Sequence, residues 1–214
     1  MDEARNQHIA RNFVESGTKD AFPQNPYLGR YRSYYNKRYC QNTLIIFGLG
    51  TAIEIEDYFD LAKNVAFESP IIFVILDPTP DNPVKYIQKA AFAKNVEALI
   101  DANHFNFRGH TWKKVVIGGP SASGRAAIES FPLLTRTPPD AFFGSDPFDT
   151  LMTIGNIPCP ALLWGFKNTT CWADVNMAAM SACNFSINNR ILFQIQNDDK
   201  TELRTVSSPT MDVN

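Results

Sequence analysis

Short apolar runs alternate with segments of helical periodicity along most of the chain, and this alternation constrains the fold more than any other feature. The apolar runs read TLIIFG (43–48), IIFVIL (71–76), KKVVIGG (113–119), DAFFGS (140–145), PALLWGF (160–166) and RILFQIQ (190–196). Between them, residues 58–65 and 84–102 place apolar side chains three and four positions apart, as amphipathic helices do. Strands alternating with helices predict βαβ units and a mainly parallel sheet.

The predicted fold is α/β, with a doubly wound sheet between two layers of helices. The strand candidates are uninterrupted apolar runs, which is typical of strands covered by helices on both faces. A length of 214 residues suits one domain. Residues 1–42 are expected to form an extension or edge strands, residues 43–196 the core, and residues 197–214 a polar tail without a secondary-structure signal.

The charge of the chain argues against several classes of partner. The net charge is -2 and the isoelectric point is about 5.9, so no electrostatic attraction to nucleic acid or to an anionic membrane is expected. No run of about 18 apolar residues is present, which predicts no transmembrane segment. The first residues lack the apolar stretch of a secretory signal. We therefore expect a soluble globular protein.

Cysteine spacing bears on metal binding and on the cellular compartment. The four cysteines are Cys40, Cys159, Cys171 and Cys183. None of them forms a C-x-x-C pair, so no zinc site is predicted, and no motif for a nucleotide or redox cofactor is found. Two glycosylation sequons begin at Asn168 and Asn184. The sequons and cysteines favour a secretory or organellar lumen only weakly, and the compartment stays open.

The stretch VVIGGPSASGRAAIES joins a predicted strand to a predicted helix. Ser121 follows the strand, at the sheet edge where ligands bind in this class of fold. A tight turn at this place needs tiny residues two positions before and after the serine, and Gly119, Ser123 and then Gly124 meet that need. This is the context of a nucleophile elbow, G-x-S-x-G. The N–H of Ala122, at the helix N-terminus, would be one oxyanion donor.

The order strand, FGLGT, helix, strand, DPTPDNP, helix, strand, GGPSASG, helix resembles the α/β-hydrolase fold over residues 43–196. The resemblance implies a serine hydrolase acting on small carboxylic esters, similar to lipases and esterases, with Ser121 as nucleophile. The family's His-Gly-Gly oxyanion loop corresponds here to FGLG. The backbone N–H of Leu49 or Gly50 would therefore be the second oxyanion donor. Pro120 stands where many members carry histidine.

The catalytic triad implied by this resemblance is incomplete. Its chain order is serine, acid, histidine, but the three histidines, His8, His104 and His110, all precede Ser121. We expect His104 and His110 in the loop that enters the strand from its opposite edge. One strand length, about 17 Å, therefore separates them from the serine. His8 lies in a segment that the sequence does not place.

Two aspartates are candidates for the acid. Asp174 follows the predicted strand 160–166, and Asp146 follows the predicted strand 140–145, with Asp149 close behind it. Each has an alternative structural role: Asp174 as a charge at a helix N-terminus, and Asp146 as a turn or cap residue before Pro147.

The missing histidine weighs more than the retained serine, since removing the base of a triad leaves only a small residual rate. We therefore expect a hydrolase-like domain with absent or severely reduced activity, acting as a structural or binding subunit of a larger assembly. Its contact surface would be exposed aromatic residues of the first forty positions, to be tested at Tyr31, Tyr34 and Tyr35. The alternative is a serine carboxylic-ester hydrolase whose base comes from His8, from chain beyond Asn214 or from a partner chain. A weaker possibility is a small-molecule binder that uses the vacated pocket.

Overall fold

Strand pairing across one sheet organises the molecule. The computed structural model describes residues 13–18, 30–50, 53–67, 69–77, 88–100, 112–147, 157–166, 190–195 and 203–205. Within them the strands are β1 Phe13–Thr18, β2 Arg30–Asn36, β3 Thr43–Gly48, β4 Ile71–Asp77, β5 Lys114–Pro120, β6 Ala141–Pro147, β7 Ala161–Phe166, β8 Arg190–Ile195 and β9 Leu203–Thr205. The α-helices are α1 Phe59–Phe67, α2 Lys89–Ile100 and α3 Ser121–Ser130, and single 3-10 turns span Ile55–Tyr58 and Phe131–Leu133.

The nine strands of these ranges form one sheet in the order β1-β2-β4-β3-β5-β6-β7-β8-β9. The strands from β4 to β8 in this order pair in parallel. The pairs β1–β2, β2–β4 and β8–β9 are antiparallel. The predicted α/β architecture with a mainly parallel sheet is therefore confirmed.

All six apolar runs of the sequence form strands, with ends that differ from the predicted ones by two residues at most. The antiparallel strands β1 and β2 lie within residues 1–42 and extend the sheet beyond β4. The C-terminal tail differs from expectation, because Leu203–Thr205 pairs with β8. A strand of three residues is too short to carry a recognisable period of alternation, so no local pattern predicts it.

Helices pack against both faces of the sheet. On β3, Leu44 and Ile46 belong to the apolar cluster that includes α2 and α3, while Ile45 and Phe47 belong to the cluster that includes α1. This alternation follows from the two-residue period of a strand. Phe47 lies at the centre of the second cluster, and its ring centroid is 5.3 Å from that of Phe143.

The prediction of an exposed aromatic contact surface is wrong for Tyr31 and Tyr34 of β2. Tyr31 is 8% exposed and Tyr34 is fully buried, while Tyr35 is half-buried. Because β1 pairs with its outer edge, β2 is an interior strand. The ring of Tyr34 packs edge-on against Phe59 of α1, with centroids 5.6 Å apart. Tyr31 and Tyr34 therefore belong to the apolar clusters on the two faces of the sheet.

The connections after β3 and β5 leave the sheet in opposite directions. β3 leads through α1 to β4 on one side, whereas β5 leads through α3 to β6 on the other side and on the other face. The connections that leave the neighbouring carboxyl ends of β3 and β5 therefore diverge, which makes this edge the topological switch point of the sheet, where a crevice is expected. In open α/β sheets, this switch point is where ligands bind. Among the described helices, none is long and apolar enough to cross a membrane.

Candidate functional site

Ser121 occupies a strained backbone conformation at this crevice. Pro120 ends β5 in an extended conformation, with φ -85° and ψ 162°, and Ser121 starts α3 with φ 43°. Within the described ranges it is the one residue other than glycine with a positive φ. This conformation costs a residue with a side chain about 1–2 kcal/mol. The chain thus reverses from strand to helix at Ser121 itself, and Ser121 is left half-buried.

Gly119 lets the end of β5 approach the end of β3. Its φ is 151°, and a Cβ built on it would lie 2.6 Å from the Gly48 carbonyl oxygen and 2.9 Å from the Ser123 Cβ. A larger residue would push the two strand ends apart. The tiny residues that the sequence places around Ser121 therefore bring together two segments that are distant in the chain.

The exit of β3 lies directly against the elbow. A Cβ built on Gly50 would lie 3.4 Å from the Ser121 Cβ and 3.5 Å from the Pro120 Cγ. The same point is 2.8 Å from the Ile53 Cδ1. Gly50 is thus the backbone neighbour of Ser121 across the crevice, and the apolar side chain of Ile53 stands beside it.

The two sequence candidates for the second oxyanion donor differ in their hydrogen bonding. The Leu49 N–H donates to the Leu76 carbonyl at 2.8 Å, which continues the β3–β4 pairing by one residue. On the other side of the crevice, Ala122 is the second residue of α3. The first N–H groups of a helix have no acceptor within the helix, so this group is free of the helical ladder. Gly124 follows, buried in the first turn of α3.

The acid candidates fall in different places. Ser145 of β6 lies opposite Pro120 of β5, and Asp146 is the next residue, still within β6. Its backbone therefore lies at the same sheet edge as Ser121, in the neighbouring strand. Asp146 stands in a strand and not in a turn, because β6 continues through Pro147. Its alternative role as a cap concerns residues beyond Pro147, which lie outside the described residues. The other acid candidates, Asp174 and Asp149, lie outside the described residues.

The three histidines of the chain, His8, His104 and His110, also lie outside the described residues. In the described part of the chain, no group of three or more His, Cys, Asp or Glu side chains could hold a metal ion.

Charged side chains near the sheet edge that carries Ser121 form ion pairs. Arg30 faces Asp77 across β2 and β4, and their charged groups are 2.8 Å apart. Arg32 lies 3.5 Å from Glu56, in the turn after β3. Burial, helped by the charge of Asp57, raises the pKa of Tyr58 to about 12. Its phenol therefore stays neutral at physiological pH.

The role of the Ser123 hydroxyl was missed at the level of sequence, where the residue counted only as a small one. Ser123 is fully buried, and its Oγ donates a hydrogen bond to the Leu49 carbonyl. The two residues are 74 positions apart in the chain, so no local pattern could have indicated the contact.

Comparison of the chain with models of known protein families found no match. Comparison with curated proteins likewise found no match.

Proposed function

We propose that the chain is an α/β-hydrolase-like domain, doubly wound in three layers, with Ser121 in the place of the nucleophile. The observation that carries this proposal is the positive φ of Ser121 at the junction of β5 and α3. Strained residues of this kind persist where the surrounding structure holds them, and they cluster at functional sites. The nucleophile elbow is such a strained turn from strand to helix.

The ligand class proposed for this site is a small carboxylic ester or a related acyl compound. A carbonyl carbon next to the Ser121 Oγ would place its oxygen toward the N-terminus of α3. The N–H of Ala122 would stabilise the negative charge that develops there, together with the positive end of the helix dipole. Because the Leu49 N–H is engaged with Leu76, we assign the second donor to Gly50. Half-buried Ile53 would offer an apolar wall to the acyl group.

We further propose that this chain alone hydrolyses esters severely less well than a complete triad, or not at all. A serine nucleophile needs a base within hydrogen-bond reach, and no histidine follows Ser121 in the sequence. In that case the elbow would serve as a binding site, in a structural or binding subunit of a larger assembly.

A second candidate is a working serine carboxylic-ester hydrolase, whose base comes from His8, from further chain or from a partner chain. The retained strain at Ser121 favours it, because a serine without a chemical role could be replaced by glycine at lower cost. The acid would be Asp146, at the same sheet edge, or Asp174.

The deciding experiment is labelling of the folded protein with an alkyl fluorophosphonate, with the modified residue located by peptide mass spectrometry. Wild type is compared with Ser121→Ala and with the control Ser130→Ala, which removes a buried serine hydroxyl at the far end of α3. Labelling of Ser121 over hours, accelerated by added imidazole, supports a retained elbow without a base. Labelling within minutes at low probe concentration supports the complete hydrolase. A folded sample that takes no label at Ser121 refutes the complete hydrolase and the acyl-binding role of the elbow, and leaves only the structural subunit.

A further inference from the structure

The buried hydroxyl of Ser123 bridges the two sides of the crevice. Ser123 is the third residue of α3, and its Oγ donates to the carbonyl of Leu49, the first residue after β3. A Cβ built on Gly48 would lie 2.7 Å from this Oγ, so the glycine makes room for the contact. The hydrogen bond therefore connects the helix that follows the elbow to the loop that carries the proposed second oxyanion donor.

The hydrogen bond of Ser130, in the same helix, differs from that of Ser123 in where its acceptor lies. The Ser130 Oγ donates to the Ala127 carbonyl, three residues earlier, at 2.7 Å, which is an ordinary bond within a helix. Both serines are fully buried, so both hydroxyls need an acceptor. Ser130 finds its acceptor within α3, whereas Ser123 reaches across to another segment.

Holding the Leu49 carbonyl fixes the direction of the next N–H. The described chain contains no cis peptide bond, and in a planar trans peptide the C=O and the N–H point in opposite directions. The carbonyl of the Leu49–Gly50 peptide points at Ser123, so the Gly50 N–H points away from the buried side of α3. Glycine has the greatest backbone freedom of all residues. Without this bond, the N–H could turn away from the site.

We infer that Ser123 is a positioning residue, whose buried hydroxyl holds the Leu49 carbonyl and thereby orients the Gly50 N–H toward an oxyanion formed at Ser121. The inference rests on the proposed function, since it takes Gly50 as the second donor. It separates the roles of two nearby serines: Ser121 meets the ligand, and Ser123 acts only through the Leu49–Gly50 peptide.

The test compares Ser123→Ala, Ser123→Thr and the matched control Ser130→Ala. Each alanine variant loses one buried hydroxyl that donates to a backbone carbonyl. The first readout is the rate of Ser121 labelling by the fluorophosphonate as a function of probe concentration. Removal of an oxyanion donor lowers a rate about 100- to 1000-fold. For a donor that is only misoriented, we expect the maximal rate of Ser123→Ala to fall roughly 10-fold, with the half-saturating concentration unchanged.

Threonine keeps the hydroxyl, so Ser123→Thr should restore most of the rate, and Ser130→Ala should label like wild type. Where the extra methyl group prevents folding, Ser123→Cys replaces it, and the weaker donor of the thiol should give an intermediate rate. Equal losses in Ser123→Ala and Ser130→Ala would overturn the inference, because they would mean general destabilisation. A change in Ser123→Ala that is confined to the half-saturating probe concentration would also overturn the inference.

The second readout is the backbone amide resonance of Gly50 in an NMR spectrum of isotope-labelled protein, which needs no chemistry at Ser121. A shift in Ser123→Ala that is absent from Ser123→Thr and Ser130→Ala supports the inference. An unchanged Gly50 resonance in Ser123→Ala overturns it. If wild type takes no label, the proposed acyl-binding role of Ser121 fails, and this resonance still decides whether Ser123 orients the Gly50 amide.

Discussion

Replacing Ser121 by glycine and by alanine separates the backbone strain of the elbow from the loss of its hydroxyl. Both variants, Ser121→Gly and Ser121→Ala, remove the hydroxyl, so their difference in free energy of unfolding reports on the backbone alone. The matched pair is Ser130→Gly and Ser130→Ala, because Ser130 ends the same helix with φ -81°. Its hydrogen bond to Ala127 is lost in both variants of that pair.

The two positions should respond with opposite signs. At Ser130, glycine should be about 1 kcal/mol less stable than alanine, as in any helix. At Ser121, with φ 43°, alanine keeps a strain of about 1–2 kcal/mol that glycine lacks. The greater freedom of glycine in the unfolded chain offsets about 0.4–1 kcal/mol of this gain. Glycine should therefore be more stable than alanine at Ser121 by about 0.8 kcal/mol, within a range of roughly 0–1.6 kcal/mol.

Urea unfolding of the four variants, followed by circular dichroism, measures these differences through the transition midpoint at constant slope. In thermal melts, 1 kcal/mol corresponds to about 2–4 °C for a chain of this size. If Ser121→Gly proves less stable than Ser121→Ala by as much as the Ser130 pair differs, the elbow is not strained. The main support for the proposed function would then be lost.

Two further perturbations test the packing around the site and the base of β5. Gly119→Ala places a Cβ 2.6 Å from the Gly48 carbonyl oxygen at a φ of 151°. Urea unfolding should show that the free energy of unfolding falls by about 2–4 kcal/mol. A fall of less than about 0.5 kcal/mol would contradict the close approach of the two strands. For Asp140, partial burial alone would raise the pKa, but the Val115 N–H and the Lys114 ammonium outweigh it and hold the pKa below its usual 3.8. The stability that Asp140 contributes is therefore present above pH 3.8 and lost as the pH falls through the lower folded-state pKa. Acid unfolding of Asp140→Asn should lack that part of the decline, and identical acid profiles would contradict the assignment.

The parallel part of the sheet could be predicted because its strands are covered on both faces. Such strands consist of uninterrupted apolar runs, as in TLIIFG and IIFVIL. The same physics explains the error at β2. Its sequence, RYRSYYN, mixes Arg with Tyr and gives the impression of a solvated strand. The buried state of Tyr34 depends on pairing with β1 and on α1, which are contacts that composition does not reveal.

The candidate site likewise has one part that could be predicted from the sequence and one part that could not. The turn around Ser121 was predictable, because a run of tiny residues between a strand and a helix is a local pattern. The residues that contact this turn were not predictable. Leu49 and Gly50 lie beside it only because β3 and β5 are neighbours in the sheet. The choice between their N–H groups depends on a hydrogen bond to Leu76 that only the paired sheet contains.

The contact between Ser123 and Leu49 spans 74 residues of chain, and this separation has a kinetic consequence. β3 pairs first along the sequence with β4, but the crevice exists only once β5 has docked on the opposite side of β3. Closing so long a loop is slow compared with forming a helix or a hairpin. In refolding experiments, the ability of Ser121 to accept a label should therefore appear late, after most secondary structure has formed.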